Sequence, residues 1–215
     1  MLDYYNWSGY ADDNTASNTY SKVAGDWKEP AITCTNEDEI VVFWVGIDGL
    51  TDSTVEQDGT LAQCYEGTAY YYTWWEMYPT NDITVVGGAV LPGDKIAASV
   101  SKSGTKYTLK VTDSTTPANS FSTSSTCAKT TCIDTSAEWI AESPSGARGD
   151  YPLPDFTSWS LTSASVTSGT QTGKISTFPD DELTMVDSSD SYALTEPGSL
   201  NGSGNAFTVT WEDSY

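Results

Sequence analysis

The 215-residue chain contains no histidine. This absence excludes Ser-His-Asp and Cys-His catalytic sites built within the chain, together with the usual histidine-ligated zinc and copper sites. Basic residues are also scarce, because 9 Lys and Arg stand against 30 Asp and Glu, which gives a formal charge of −21 at pH 7. Any acid–base chemistry must therefore use Asp, Glu, Tyr or Lys, and neither a metal nor another cofactor is expected.

The strong negative charge also limits the partners. Such a chain repels nucleic acid and anionic membrane surfaces, so neither is expected to bind. Hydrophobic residues make up 38% of the sequence and include eight tryptophans, which favours a folded protein over a disordered acidic segment. Self-repulsion falls as the carboxyl groups are protonated near pH ~4. We interpret the composition as an adaptation to acid, ahead of general solubility or halophily.

The sequence contains four cysteines. It shows neither an apolar run long enough to span a membrane nor a signal peptide. Cys127 and Cys132 bracket a short loop and are expected to pair, which leaves Cys34 to pair with Cys64 around a central strand. Two disulfides indicate an oxidising compartment. We therefore expect a secreted, mature protein.

Secondary structure is expected to be all β, because short alternating runs recur between Gly, Ser, Thr, Asn and Pro without helical periodicity. The length favours a single domain over residues 1–215. The sequence up to Pro30 reads as turn-rich, and residues 50–59 and 113–125 read as loops. Strands are expected near residues 39–48, 69–79, 83–90, 94–101, 105–111, 136–142, 156–167 and 206–211.

The strand that begins at Glu39 predicts a core on one side and a groove on the other, because side chains alternate between the faces of a strand. Its apolar face consists of Val41, Phe43, Val45 and Ile47. Its opposite face consists of Val42, Trp44, Gly46 and Asp48. A tryptophan and a carboxylate on either side of a glycine are typical of a groove floor, and the following loop brings Gln57 towards it.

Three carboxylates stand among aromatic residues: Asp48, Glu76 and Glu138. Burying a carboxylate costs roughly several kcal/mol unless it is paired or protonated. Two such groups could hydrolyse a glycosidic bond, with Glu76 and Glu138 as the pair. Alternatively, one glutamate could activate water against a peptide bond, with an amide stabilising the oxyanion. A carbohydrate-binding sandwich without catalysis is the third possibility.

Five segments, in this order, resemble the glutamic peptidases of family G1, the eqolisins. They are Asn6-Trp7-Ser8-Gly9, Trp44-Val45-Gly46-Ile47-Asp48-Gly49, Gln57-x-Gly59, Trp74-Trp75-Glu76-Met77-Tyr78-Pro79 and Ala137-Glu138-Trp139-Ile140. The resemblance covers nearly the whole chain. It implies a β-sandwich of two curved antiparallel sheets with the substrate groove on a concave face. It also implies a secreted, pepstatin-insensitive acid endopeptidase, which we expect to be a monomer acting on unfolded proteins or peptides.

The resemblance assigns roles to individual residues. Glu138 would be the general base that activates water and then protonates the leaving amine, and Gln57 would orient the water and stabilise the oxyanion. Glu142 competes with Glu138, since both lie on one strand face, and Gln63 competes with Gln57. The residues expected to support the pair or contact substrate are Trp7, Trp44, Asp48, Trp74, Glu76 and Tyr78.

Two features depart from the fungal members of the family. The segment between Gly49 and Gln57 is closer to bacterial relatives, and the cysteine pattern also differs. The disulfide pairing given above therefore rests on spacing alone.

Overall fold

The computed structural model describes residues 2–14, 16–35, 38–127, 132–147, 149–189 and 192–214. Regular structure in these residues consists of β-strands and two 3₁₀ turns, Pro117–Asn119 and Ile175–Thr177, which confirms the expected all-β class. None of the described residues forms a helix long and apolar enough to span a membrane.

The strands are numbered in chain order. They are β1 (Leu2–Tyr4), β2 (Trp7–Asp13), β3 (Tyr20–Lys28), β4 (Glu39–Ile47), β5 (Val55–Tyr65), β6 (Thr68–Tyr78), β7 (Asn81–Gly87), β8 (Lys95–Ser103), β9 (Lys106–Asp113), β10 (Phe121–Thr126), β11 (Ser136–Glu142), β12 (Ser145–Gly146), β13 (Gly149–Asp150), β14 (Ser158–Ser168), β15 (Gln171–Gly173), β16 (Asp180–Val186), β17 (Ala193–Pro197) and β18 (Phe207–Trp211).

Hydrogen bonding joins most of these strands into one path that folds over into two layers. The first layer has the order β10-β9-β8-β3-β14-β18, and β17 connects it to the second layer, β16-β2-β11-β4-β5-β6-β7. Neighbours along this path are antiparallel, whereas β1 pairs with β16 in parallel. The layers pack face to face, with β3 and β8 against β4, which makes a β-sandwich.

The main core lies between the two layers and confirms the predicted inner face of β4. Val41, Phe43, Val45 and Ile47 are all completely buried there. Phe43 stacks on Trp159 of the opposite layer, with ring centroids 5.3 Å apart and an interplanar angle of 22°. Full burial of each such side chain stabilises the fold by about 1.5–3 kcal/mol.

The other face of the second layer carries a smaller aromatic cluster. Trp7, Trp44 and Trp74 pack together there with Leu61 and Ile140. The predicted separation of Trp44 from the main core is therefore confirmed. This cluster forms the base on which the cleft described below is built.

Three regions interpreted as turns or loops contain strands, so those interpretations were wrong. Strand β5 begins at Val55, which places Gln57 within a strand. Its inward positions include the polar residues Glu56 and Asp58, and this polarity hid the strand pattern. The region before Pro30 contains β2 and β3, and the Ser/Thr-rich region after Asp113 contains β10, an edge strand held by backbone pairing to β9.

The two disulfides follow the expected pairing. Cys34 bonds to Cys64 with a Cα separation of 5.5 Å, and Cys127 bonds to Cys132 with a separation of 6.2 Å. The first bond ties the segment before β4 to the end of β5. No described cysteine is free.

Candidate active site

Strand register brings four of the motif positions into one row across the second layer. Glu76 on β6 lies opposite Gln57 on β5, Gln57 lies opposite Gly46 on β4, and Gly46 lies opposite Glu138 on β11. Gly46 is required because a Cβ at this position would lie 2.7 Å from the ring of Trp44. Its missing side chain leaves room beside Gln57.

A cleft of about 360 Å³ lies on this face of the second layer. Of the predicted site residues, it is lined by Trp7, Gln57, Glu76 and Tyr78, and Glu142 joins them. The remaining lining residues are Tyr4, Asn6, Gly49, Asp52, Ser53, Val55, Ile83, Pro144 and Ser145.

Gln57 and Glu76 form one hydrogen-bonded unit in this cleft. The Gln57 Nε2 donates to Glu76 Oε2 at 2.7 Å, while the Gln57 Oε1 is buried without a partner among the described residues. Burial raises the pKa of Glu76 to about 7; the charge of Asp82 adds to this rise and the Gln57 hydrogen bond opposes it. Glu76 is therefore protonated in acid, and the free Gln57 oxygen can accept a hydrogen bond from a molecule in the cleft.

Glu142 faces the same cleft from the end of β11. Its Oε2 accepts a hydrogen bond of 2.7 Å from Trp44 Nε1, and its Oε1 accepts one of 3.4 Å from Asn6 Nδ2. The pKa of Glu142 is raised to about 8, chiefly by burial and also by the charge of Glu76, while hydrogen bonds from the Trp44 and Trp7 indoles oppose the rise. The charge of Glu76 acts on Glu142 because both carboxyls line the same cleft.

Aromatic packing fixes the indoles that surround Glu142. Trp7 meets Trp44 edge to face, with ring centroids 4.9 Å apart and an interplanar angle of 77°. On its other side, Trp7 stacks with Tyr4 at 6.2 Å. Trp44 and Trp74 are completely buried beneath the cleft and do not line it, whereas Tyr78 is half exposed at the rim. Trp44 therefore acts on the cleft through its hydrogen bond to Glu142.

Glu138 is on the same strand face as Glu142 but does not line the cleft. Its side chain is completely buried beside the hydroxyl of Ser136, which favours the ionised carboxylate and opposes the effect of burial. Burial raises the pKa of Glu138 far above its ordinary value, and the charges of Asp48, Asp52 and Glu56 add to the shift. Glu138 is accordingly a neutral carboxylic acid across the acidic range, and it does not share the cleft with Glu76.

Asp48 also lies outside the cleft, because its backbone turns at the end of β4. Its φ of 68° is in the left-handed region, and its buried carboxylate accepts hydrogen bonds from the N–H groups of Asp134 at 2.9 Å and Thr135 at 2.8 Å. Asp48 therefore fastens the segment that leads into β11, which positions Glu142 at the far end of that strand.

Asp48, Glu56 and Asp134 have carboxyl oxygens within 4.8 Å of one another, a spacing that suits a cation. The ammonium group of Lys102 already pairs with Asp134, which also accepts a 2.6 Å hydrogen bond from Tyr107. Since both oxygens of Asp48 accept backbone hydrogen bonds, Glu56 alone has free oxygens. The cluster is therefore a hydrogen-bond and proton network, and Lys102 supplies its positive charge.

Comparison with known proteins identifies the family. The sequence profile of the Peptidase A4 family matches residues 5–211. The chain belongs to this family, the glutamic peptidases also called eqolisins or G1 peptidases. It is 31% identical over 202 residues to Aspergillopepsin-2 of Aspergillus niger, covering 92% of this chain and 67% of that protein.

Solved eqolisin structures share the fold. Scytalido-glutamic peptidase bound to a transition-state analogue inhibitor has a TM-score of 0.79 at 22% identity, over 97% of this chain and 98% of that one. SCP-B, an eqolisin solved with the tripeptide Ala-Ile-His, has a TM-score of 0.71 at 20% identity, with coverage of 97% and 98%. Aspergilloglutamic peptidase from Aspergillus niger has a TM-score of 0.69 at 29% identity, with coverage of 81% and 99%. The expected eqolisin sandwich is thereby confirmed.

Proposed function

We propose that this eqolisin is a pepstatin-insensitive acid endopeptidase that cleaves unfolded proteins or peptides with Gln57 and Glu142. The observation that carries the proposal is that both side chains line one cleft and that each is held by a neighbour. Glu76 accepts the Gln57 amide N–H, and Trp44 donates to the Glu142 carboxyl. An amide and a carboxyl held in this way supply an oxyanion donor and a proton acceptor.

In the proposed reaction, Glu142 removes a proton from a water molecule, whose oxygen then bonds to the peptide carbonyl carbon. The second N–H of the Gln57 amide, the one that is not donated to Glu76, stabilises the negative charge that develops on the carbonyl oxygen. As the C–N bond breaks, Glu142 returns its proton to the leaving amine. The indole N–H groups beside Glu142 oppose the rise of its pKa, but at about 8 the carboxyl is mostly protonated in acid, so its small ionised fraction acts as the base.

Glu142 is preferred to Glu138 because of where each carboxyl lies. A general base must come within hydrogen-bond reach of the proton that it removes, directly or through one water. Glu142 lines the cleft with Gln57, whereas Glu138, which lies in the same strand row as Gln57 across Gly46, is completely buried and does not line it. The earlier assignment of Glu138 stays a prediction, and substitution of each residue separates the two.

The glycosidase hypothesis has less support from the geometry. It needs Glu76 and Glu138 on opposite sides of one open cleft, but only Glu76 lines it. We further propose that the chain works as a single catalytic domain, as a monomer, in an acidic extracellular environment. Two disulfides and the raised pKa values of the cleft carboxyls support this setting.

The test is digestion of an unfolded protein at acidic pH in the presence of pepstatin. The wild-type protein should cleave it, and the cleavage rate of Gln57→Ala should be lower by a factor of about 10²–10³, as for loss of one oxyanion donor. Gln63→Ala, the same change on the same strand, is the matched control and should keep wild-type activity. Equal activity of Gln57→Ala and Gln63→Ala would refute the role of Gln57. Sugar released from a polysaccharide panel, without peptide cleavage, would support the glycosidase hypothesis instead.

A further inference from the structure

Positive charge is concentrated on one face of the first layer, the side of the sandwich away from the cleft. On β3, β8 and β9 the inward positions, such as Val23, Val100 and Leu109, belong to the main core. Alternation therefore places five of the nine basic residues on the outward side. They are Lys22, Lys28, Lys95, Lys106 and Lys110, and we call this surface the lysine face.

The lysine face has almost no compensating negative charge, although the chain carries 30 acidic residues. Asp26 is the one carboxylate among the outward positions of these three strands. Lys28 lies directly opposite Lys95, an arrangement of like charges that destabilises a sheet. The one ion pair among the described residues joins Lys102 to Asp134 on the inward side, so none of the five lysines has an ionic partner there.

A groove of about 760 Å³ crosses this face and is larger than the cleft. Lys28, Lys95 and the carboxylate of Asp26 line it together with a set of hydroxyl groups, those of Thr112, Ser114, Ser158, Ser160 and Thr162. Trp27 lies at its base, and the Trp27 indole donates to Glu29 at 3.3 Å. Glu29 is buried, and burial raises its pKa to about 7, so it adds little negative charge in acid.

The chemistry of the groove limits what can occupy it. A peptide cannot add to the sheet here, because β3 is already paired with β8 and β14 and β8 is already paired with β9. None of the large exposed hydrophobic side chains of the described residues lines the groove. Protein partners and membrane surfaces usually require such apolar anchors. Ammonium and hydroxyl groups instead match a hydrated polymer that carries anionic groups and its own hydroxyls.

We propose that the lysine face binds an anionic polysaccharide, with the chain lying in the groove between Lys28 and Lys95. The lysines contact its sulfate or carboxylate groups, and the Ser and Thr hydroxyls hydrogen-bond to its sugar hydroxyls. Because the cleft lies on the opposite layer, the protein can stay on the polymer with the cleft accessible. This role is separate from the peptidase activity and does not depend on it.

Binding to dextran sulfate at mildly acidic pH, followed by tryptophan fluorescence, tests the proposal. Neutral dextran of matched length and vesicles of an anionic phospholipid are the parallel probes. If each lysine near a dense anionic surface contributes about 1 kcal/mol, Lys28→Gln and Lys95→Gln should each weaken dextran sulfate binding about fivefold. Lys174→Gln removes the same charge from an exposed site outside the groove and should change the affinity by less than about twofold.

Peptide cleavage by Lys28→Gln and Lys95→Gln should equal that of wild type, which shows that the fold is intact.

Three results would overturn the proposal. One is equal affinity for dextran and dextran sulfate, and the second is an equal effect of all three substitutions. The third is binding to the anionic vesicles without binding to dextran sulfate, which would assign the face to a membrane surface.

Discussion

Replacing Glu56 by glutamine should make the stability of the fold less sensitive to pH. Glu56 is buried with both oxygens unpaired, and burial raises its pKa from 4.5 to about 9, with Asp48 and Asp134 adding to the shift. A carboxyl whose pKa rises on folding stabilises the native state fully below its unfolded pKa. This contribution is lost as the pH rises from the unfolded pKa towards the folded one.

The size of this effect follows from proton linkage. Each such group lowers the free energy of unfolding by about 1.4 kcal/mol per pH unit between its two pKa values. Glu56, Asp12 and Glu29 all titrate in this way up to at least about pH 7. These three groups alone give a slope of about 4 kcal/mol per pH unit, and Glu76 and Glu142 add to it in the same direction. Such a slope would exhaust a typical stability of about 5–15 kcal/mol within a few pH units. The fold should therefore be lost as the pH approaches neutrality.

Urea unfolding, followed by tryptophan fluorescence from acidic to neutral pH, measures this slope. Glu56→Gln keeps the shape of the side chain without its titration, so its slope should be smaller by about 1.4 kcal/mol per pH unit. Glu196→Gln makes the same change at an exposed site and should keep the wild-type slope. A stability that is flat or rises towards neutral pH, or equal slopes for the two variants, would refute the reasoning.

Three other substitutions test the support around the cleft and the covalent frame. Trp44→Phe removes the N–H that donates to Glu142 at 2.7 Å. In a peptide-cleavage assay, kcat should fall about 10- to 100-fold with little change in KM. An unchanged kcat would show that this hydrogen bond does not support catalysis. Gly46→Ala should push the Trp44 ring aside and lower both kcat and the thermal midpoint, and a wild-type midpoint would argue against that crowding. Replacing both Cys34 and Cys64 by serine removes a disulfide that joins residues 30 positions apart. The free energy of unfolding, measured in urea, should fall by about 3–4 kcal/mol. An unchanged value would show that the disulfide does not stabilise the fold.

Sequence reasoning predicted the fold best where local pattern and packing agree. The alternation of β4 separates Phe43 from Trp44 in the structure as expected, and the bounds of β11 are those predicted. The whole of strand β5, Val55–Tyr65, was missed, because residues 50–59 were interpreted as a loop and its inward positions hold Glu56 and Asp58. A strand with buried carboxyls cannot be distinguished from a polar loop by hydrophobic periodicity.

The residue types of the candidate site stay a prediction from the sequence, whereas their arrangement comes from the structure. Alternation assigns Glu138 and Glu142 to one face, yet it says nothing about which of them reaches the cleft. That choice depends on tertiary structure: Glu138 lies beside the carboxyls that follow β4, while Glu142 lies beneath Trp7 and Asn6. The position of Asp48 was missed for a similar reason, because its left-handed backbone turns the side chain away from the alternation of the strand.

A comparison of two glutamine substitutions shows whether Glu142 carries the proton in peptide cleavage. Glu142→Gln and Glu138→Gln are the same substitution on the same face of β11, and kcat/KM for an unfolded substrate at acidic pH is measured for both. The kcat/KM of Glu142→Gln should be lower than that of wild type by a factor of about 10²–10⁴, as for loss of a general base. Glu138→Gln changes a side chain that does not line the cleft, so it should stay within about tenfold of wild type. The reverse order, with Glu142→Gln active and Glu138→Gln folded but inactive, would contradict the account.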